Sequence, residues 1–106
     1  MRAALAALLL GCALSAMAGS IDTPQCRADL AKASALVDAV AAARNRAGPV
    51  RDAAAMCAAL RQNMKDMRDA ATRMDRCLTG HERGENVAQI RASVEDVGEV
   101  VRARCR

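Results

Sequence analysis

The chain has 106 residues, a net charge of +4 and no Phe, Trp or Tyr. That length holds one domain with a thin core of Ala, Val, Leu, Ile and Met, the size range in which covalent cross-links become important. Sixteen basic residues stand against twelve acidic ones, a balance that excludes a strongly basic nucleic-acid-binding surface.

The first element is a leader. MRAALAALLLGCALSAMAGS places one basic residue, Arg2, before an apolar run from Ala3 to about Ala16, with Ala16 and Ala18 flanking Met17 in the A-x-A pattern of a signal peptidase site. This predicts a signal peptide over 1–18, cleavage between Ala18 and Gly19, and a mature chain over 19–106. The run is shorter than the roughly 20 apolar residues that a membrane span needs, and no later stretch is uniformly apolar, so the mature chain is expected to be soluble, with no transmembrane segment. A rival processing route is also written there. Leu9-Leu10-Gly11-Cys12 resembles the lipobox of bacterial lipoproteins, which would make Cys12 a lipid anchor. The short apolar stretch between Arg2 and Cys12 and the conventional site after it favour simple cleavage.

Three helices are predicted after the leader, at about 24–46, 53–79 and 84–105. Thr23-Pro24 opens the first with a capping residue followed by a proline at the first helical position. Cys26, Leu30, Ala33, Val37 and Val40 then recur in steps of four and three, the seam of a helix that ends before Gly48 and Pro49.

The second segment, AAAMCAALRQNMKDMRDAATRMDRC, carries four methionines and two cysteines. Cys57, Leu60, Met64, Met67, Ala71, Met74 and Leu78 alternate in steps of three and four, the a and d positions of an unbroken heptad, so three of the methionines read as core knobs. Met56, Asn63, Ala70 and Cys77 form the adjacent column and widen the stripe enough for contact with two partner helices. Asp52 is preferred to Gly48 as the cap of this helix, and Gly80 reads as its left-handed terminator. The third segment repeats the alternation with Val87, Ile90, Val94, Val97 and Val101. Glu82 and Glu85 stand near its start and Arg102, Arg104 and Arg106 at its end, the signs that the helix dipole favours. The fold expected is all-α, a small up-down-up three-helix bundle.

With Cys12 removed or acylated, Cys26, Cys57, Cys77 and Cys105 remain, an even number in a short exported chain and none in a C-x-x-C pair. Structural disulfides are predicted. In an antiparallel helix pair, residues at one height have numbers that average to the centre of the connecting turn. Cys57 and Cys105 average 81, the centre of the second turn, and Cys26 and Cys77 average between 51 and 52, at the late edge of the first. Joining Cys26 to Cys57, or Cys77 to Cys105, would centre a turn inside a helix, and Cys26 with Cys105 would link opposite ends of parallel helices. The expected pairs are Cys26–Cys77 and Cys57–Cys105.

For function, the residues point away from chemistry. His81 is the one histidine and lies beside Gly80 in a turn, Ser34 and Ser93 are isolated on helices, and the carboxylates are scattered, so no catalytic residue, metal ligand or cofactor is assigned. Export leaves 15 basic and 12 acidic side chains, because residues 1–18 contain only Arg2 among the charged types. Those charges alternate, Arg61, Lys65, Arg68, Arg73 and Arg76 interleaving with Asp66, Asp69 and Asp75, as on a solvated helix face and not a phosphate-binding stripe. Nucleic acid is therefore not an expected partner. The L-T-x-x-Q motif of envelope-stress helical proteins is not matched, since Gly80, His81 and Glu82 follow Leu78-Thr79. Two readings remain. The first is an exported, non-enzymatic protein of the bacterial envelope, periplasmic or secreted, that acts as an interaction or structural module towards another envelope protein. The alternative is a soft-metal (copper) carrier or sensor that uses Met64, Met67 and reduced cysteines, which would need a third ligand beside the two methionines.

Overall fold

The computed structural model describes residues 19–46 and 52–105. The expected signal peptide, Cys12 and the breakers Gly48 and Pro49 lie outside them. The described residues form three helices, α1 (Pro24–Arg46), α2 (Ala53–Cys77) and α3 (Gly80–Arg104).

Each helix begins where its capping chemistry allows. The Thr23 hydroxyl accepts from the Cys26 N–H at 3.1 Å at the head of α1. Asp52 has extended backbone and its carboxylate accepts from the Ala54 N–H at 3.0 Å, satisfying a donor that the first turn of α2 leaves open.

The second turn differs from expectation. α2 stops at Cys77, not 79, and α3 begins at Gly80, not 84. The reason is a short strand pairing. Leu78 and Thr79 are extended because Gly19–Ile21 run antiparallel beside them, with Ser20 opposite Leu78. The Ile21 N–H donates to the Cys77 carbonyl at 2.8 Å and the Thr79 N–H to the Gly19 carbonyl at 2.7 Å. Gly80, with φ +57°, then turns the chain into α3, so its left-handed backbone opens the third helix instead of ending the second. The added first turn of α3 is held by the Arg83 N–H on the Thr79 carbonyl and by the Asn86 side-chain amide on the Glu82 carbonyl. At its far end α3 stops at Arg104, with Cys105 as the cap residue.

Two disulfides tie the helices together. Cys26, in the first turn of α1, is bonded to Cys77, the last residue of α2, with Cα atoms 5.2 Å apart. Cys57, early in α2, is bonded to Cys105, just past α3, with Cα atoms 5.7 Å apart. These are the two pairs that the helix heights select.

Helix α2 is the centre. Both α1 and α3 pack along it, while they scarcely meet each other. Its buried residues are Cys57, Met67, Ala70, Ala71 and Cys77, so the second column of the stripe is buried as deeply as the heptad seam. Two faces are needed because two helices lie against it. Ala33 and Ala70 are fully buried. Each stands seven residues from its cysteine of the Cys26–Cys77 pair, and side chains this small permit close helix packing. The remaining core gathers Val40 of α1, Met67 of α2 and Val94 and Val97 of α3, with Leu60, Met64, Ile90 and Val101 packed around them.

Gly98 is buried on α3 and shows what this packing permits. A Cβ built there would meet the terminal methyl of Met64 at 3.4 Å and a guanidinium nitrogen of Arg102 at 3.5 Å, both the ends of flexible side chains. Glycine inside a helix costs about 0.5–1 kcal/mol relative to alanine. We therefore expect Gly98→Ala to stabilise the protein by about 0.5 kcal/mol, after a small shift of Met64. Thermal unfolding checks this; a lowered midpoint would mean that Met64 has no room to give.

Candidate functional site

Because α1 and α3 each lie on α2 without closing on each other, a groove of about 350 Å³ opens between them. Its floor is Met67 and Met74 of α2. One wall is Ser34, Val37, Val40 and Ala41 of α1, and the other is Asn86, Gln89, Ile90 and Ser93 of α3. The wall residues on each helix recur every three or four positions over two turns, so the groove is roughly 10 Å long. It carries no charged side chain: the floor is apolar and the rim is hydroxyl and amide. Val37, a seam residue by its spacing, lines this opening and is 36% exposed, whereas Val40 on the same wall is buried in the core cluster. Ser34 and Ser93, isolated in the sequence, stand on opposite walls, and the Ser93 hydroxyl donates back to the Gln89 carbonyl at 3.2 Å.

The charges lie elsewhere, and several join helices. Arg73 of α2 bonds Asp69 one turn back at 2.9 Å and reaches Asp29 of α1 at 2.6 Å, with Arg76 adding a second cation 3.6 Å from Asp29. On the other side Asp75 is held by Arg83 of α3 at 3.0 Å and approached by Arg91 at 3.9 Å. The Asp69 hydrogen bond, with the negative charge of Asp69 and Asp29, raises the Arg73 guanidinium above its ordinary range against the opposing effect of desolvation. The Arg83 hydrogen bond and the charges of Arg83 and Arg91 hold the Asp75 carboxyl below the usual carboxylate range. Both shifts come from ion pairs that brace the bundle. Spacing along α2 predicts pairs within one helix. Asp69–Arg73 is one, whereas the partners of Asp29 and Asp75 follow only from which helices adjoin.

The remaining candidate residues sit apart. His81 is 83% exposed in the first turn of α3, its ring nitrogen 3.3 Å from Glu85. Met67 is buried and Met64 half-buried in the core, while all four cysteines of the described residues are in disulfides and carry no thiolate for a soft metal.

No known protein family, curated protein or solved structure matches the chain. The floor of two methionines between the branched side chains of Val37 and Ile90 is apolar, and the flexible methionines make its shape adaptable. The uncharged amides and hydroxyls at the lip can bond to a polar backbone or side chain without demanding a counter-charge.

Among the described residues no helix is long and apolar enough to cross a membrane. Sequence reasoning locates the helices that build the groove but not the groove itself. Its walls carry no signal beyond the helical period that Val37 shares with Val40.

Proposed function

We propose that the protein is an exported, non-enzymatic interaction module of the bacterial envelope, an up-down-up bundle behind a cleaved signal peptide, and that it takes apolar side chains of another envelope protein into the groove between α1 and α3. The observation that carries this reading is the groove: two turns long, floored by Met67 and Met74, and lined without charge. The two disulfides support export, since such bonds persist in oxidising compartments, and they hold the walls of the groove in place across the helices. The cross-helix pairing of Asp29, Arg73, Asp75 and Arg83 engages charge in the scaffold and leaves the uncharged groove as the recognition surface.

A photo-reactive residue at Gln89, on the groove wall, should capture one recurrent envelope protein in the intact cell envelope. Val37→Glu, which puts a charge into the groove, should abolish that capture. Val100→Glu, at a 41% exposed valine outside the groove, should leave it unchanged. Capture that ignores Val37→Glu, or a chain that remains a partnerless monomer, would refute this reading.

A further inference from the structure

The segment just after the expected cleavage point is built into the fold. Gly19–Ile21 pair with Cys77–Thr79, so the backbone at Gly19 is fixed against the turn between α2 and α3. Glu82, in the first turn of α3, lies directly on Gly19: a Cβ added to Gly19 would overlap the Glu82 Cγ and fall 3.7 Å from its carboxyl carbon. Only a residue without a side chain lets Glu82 come this close. The side chain is also tethered, because the Asn86 side-chain amide donates to its Oε2 at 3.2 Å and to the Glu82 carbonyl at 2.8 Å.

The other charges at this end of the molecule are paired. Asp22 bonds Arg27, His81 faces Glu85, Arg83 bonds Asp75, and Arg76 reaches Asp29. Glu82 alone of this group has no cation among the described residues. An acidic side chain held in place beside a fixed backbone nitrogen, with its own cation missing, has the form of a receptor for an amine.

We infer that Glu82 receives the α-ammonium group of Gly19 once the Ala18–Gly19 bond is cut, so that removal of the leader itself creates a salt bridge across the α2–α3 turn. The inference rests on the reading of the chain as exported and cleaved after Ala18. The cleavage is a hydrolysis by a signal peptidase with water as co-reactant. The water oxygen bonds to the Ala18 carbonyl carbon as the C–N bond breaks, and Ala18 leaves as a carboxylate. Both water protons end on the Gly19 nitrogen, which becomes a primary ammonium. Before cleavage that nitrogen is an uncharged amide with nothing to offer Glu82 but one N–H; afterwards it has three donors and a positive charge. The α-nitrogen is two bonds from the Cβ position that Glu82 crowds.

The test uses the full chain, exported by a bacterial host and purified after processing. Intact mass reports where it begins, and NMR titration of the Gly19 α-protons reports its amine. An unpaired α-amino group titrates near 7.7–8.0, and a facing carboxylate should raise this by about half a unit. Glu82→Gln keeps the shape and the Asn86 contact and should return the amine to the ordinary value. A chain that begins at Gly19 with a raised, Glu82-dependent titration supports the inference. One that begins at Gly19 with an ordinary titration overturns the salt bridge and leaves cleavage after Ala18 intact. A chain that begins elsewhere, including an acylated species starting at Cys12, overturns both. The unsubstituted protein decides whether the amine is perturbed at all, so the titration discriminates even if the variant folds poorly.

Discussion

Replacing Cys57 and Cys105 together by alanine is expected to lower the free energy of unfolding by about 3–4 kcal/mol, the chain-entropy value for a loop of this size. The bond closes 48 residues, and the Cys26–Cys77 bond closes 51, so the entropic terms of the two are nearly equal. Their surroundings are not. Where Cys26 meets Cys77, Asp29 is also gripped by Arg73 and Arg76, and the backbone of Gly19–Ile21 bonds the turn that follows. Where Cys57 meets Cys105, the bond is accompanied by the helix-end bond of the Cys105 N–H to the Val101 carbonyl, 2.8 Å, and by one long contact from the Arg61 guanidinium to the Cys105 carbonyl, 3.5 Å. Losing Cys57–Cys105 should therefore free the last turn of α3 as well as loosen the unfolded chain, and amides there should exchange fastest. With both bonds removed, a core without aromatic side chains has little left of a margin that for ordinary domains is only about 5–15 kcal/mol, and the cooperative transition should disappear. Urea unfolding without reductant measures this. A loss below about 1 kcal/mol for the single pair would mean that helix packing alone fixes the ends.

The contrast between the two ends also shows which features sequence reading reaches. Thr23, Pro24 and Asp52 are legible because a cap is a local event: the hydroxyl or carboxylate bonds an N–H two or three residues away. The heptad of α2 is legible because burial follows the helical period, and the cysteine pairing is legible because taking neighbouring helices as antiparallel turns residue number into height. What escapes is decided by neighbours distant in sequence. Nothing near Leu78 and Thr79 requires extended backbone until Gly19–Ile21 lie beside them, and so the start of α3 is displaced by one turn. Asp75 has Arg and Asp residues on its own helix, yet its partner is Arg83 across the turn. The groove is the extreme case: a periodic pattern gives the same value to Val37 and Val40, yet both line the groove and only Val40 is buried in the core cluster.

The absence of aromatic residues concentrates stability in few places. Ala33 and Ala70 contribute closeness rather than area, so the apolar surface that joins all three helices comes from Val40, Met67, Val94 and Val97. An alanine contact is a good hinge line but a poor anchor. Two disulfides and one aliphatic cluster between them hold α1 and α3 to α2.

Met67 belongs to both the core and the groove. It is 6% exposed, belongs to α2, packs with Val40 of α1 and with Val94 and Val97 of α3, and also floors the groove. Truncating a buried methionine to alanine removes its transfer free energy and leaves a cavity that fixed neighbours cannot fill, a cost of about 2–5 kcal/mol. Here the disulfides hinder collapse of α1 and α3 into the gap, so Met67→Ala should cost about 3 kcal/mol. Met67→Leu keeps most of the volume and should cost less than about 1.5 kcal/mol. The two variants separate stability from recognition, because leucine maintains the core while stiffening the floor that an incoming apolar side chain must mould. We expect Met67→Leu to fold as the native protein does and to lose part of the Gln89 photo-capture, whereas Val94→Ala, behind the groove, should weaken the fold and leave capture by the folded fraction intact. Equilibrium unfolding and cross-linking on the same preparations check both. If Met67→Leu is silent in capture while Val37→Glu abolishes it, recognition belongs to the walls of the groove and its floor serves only the core.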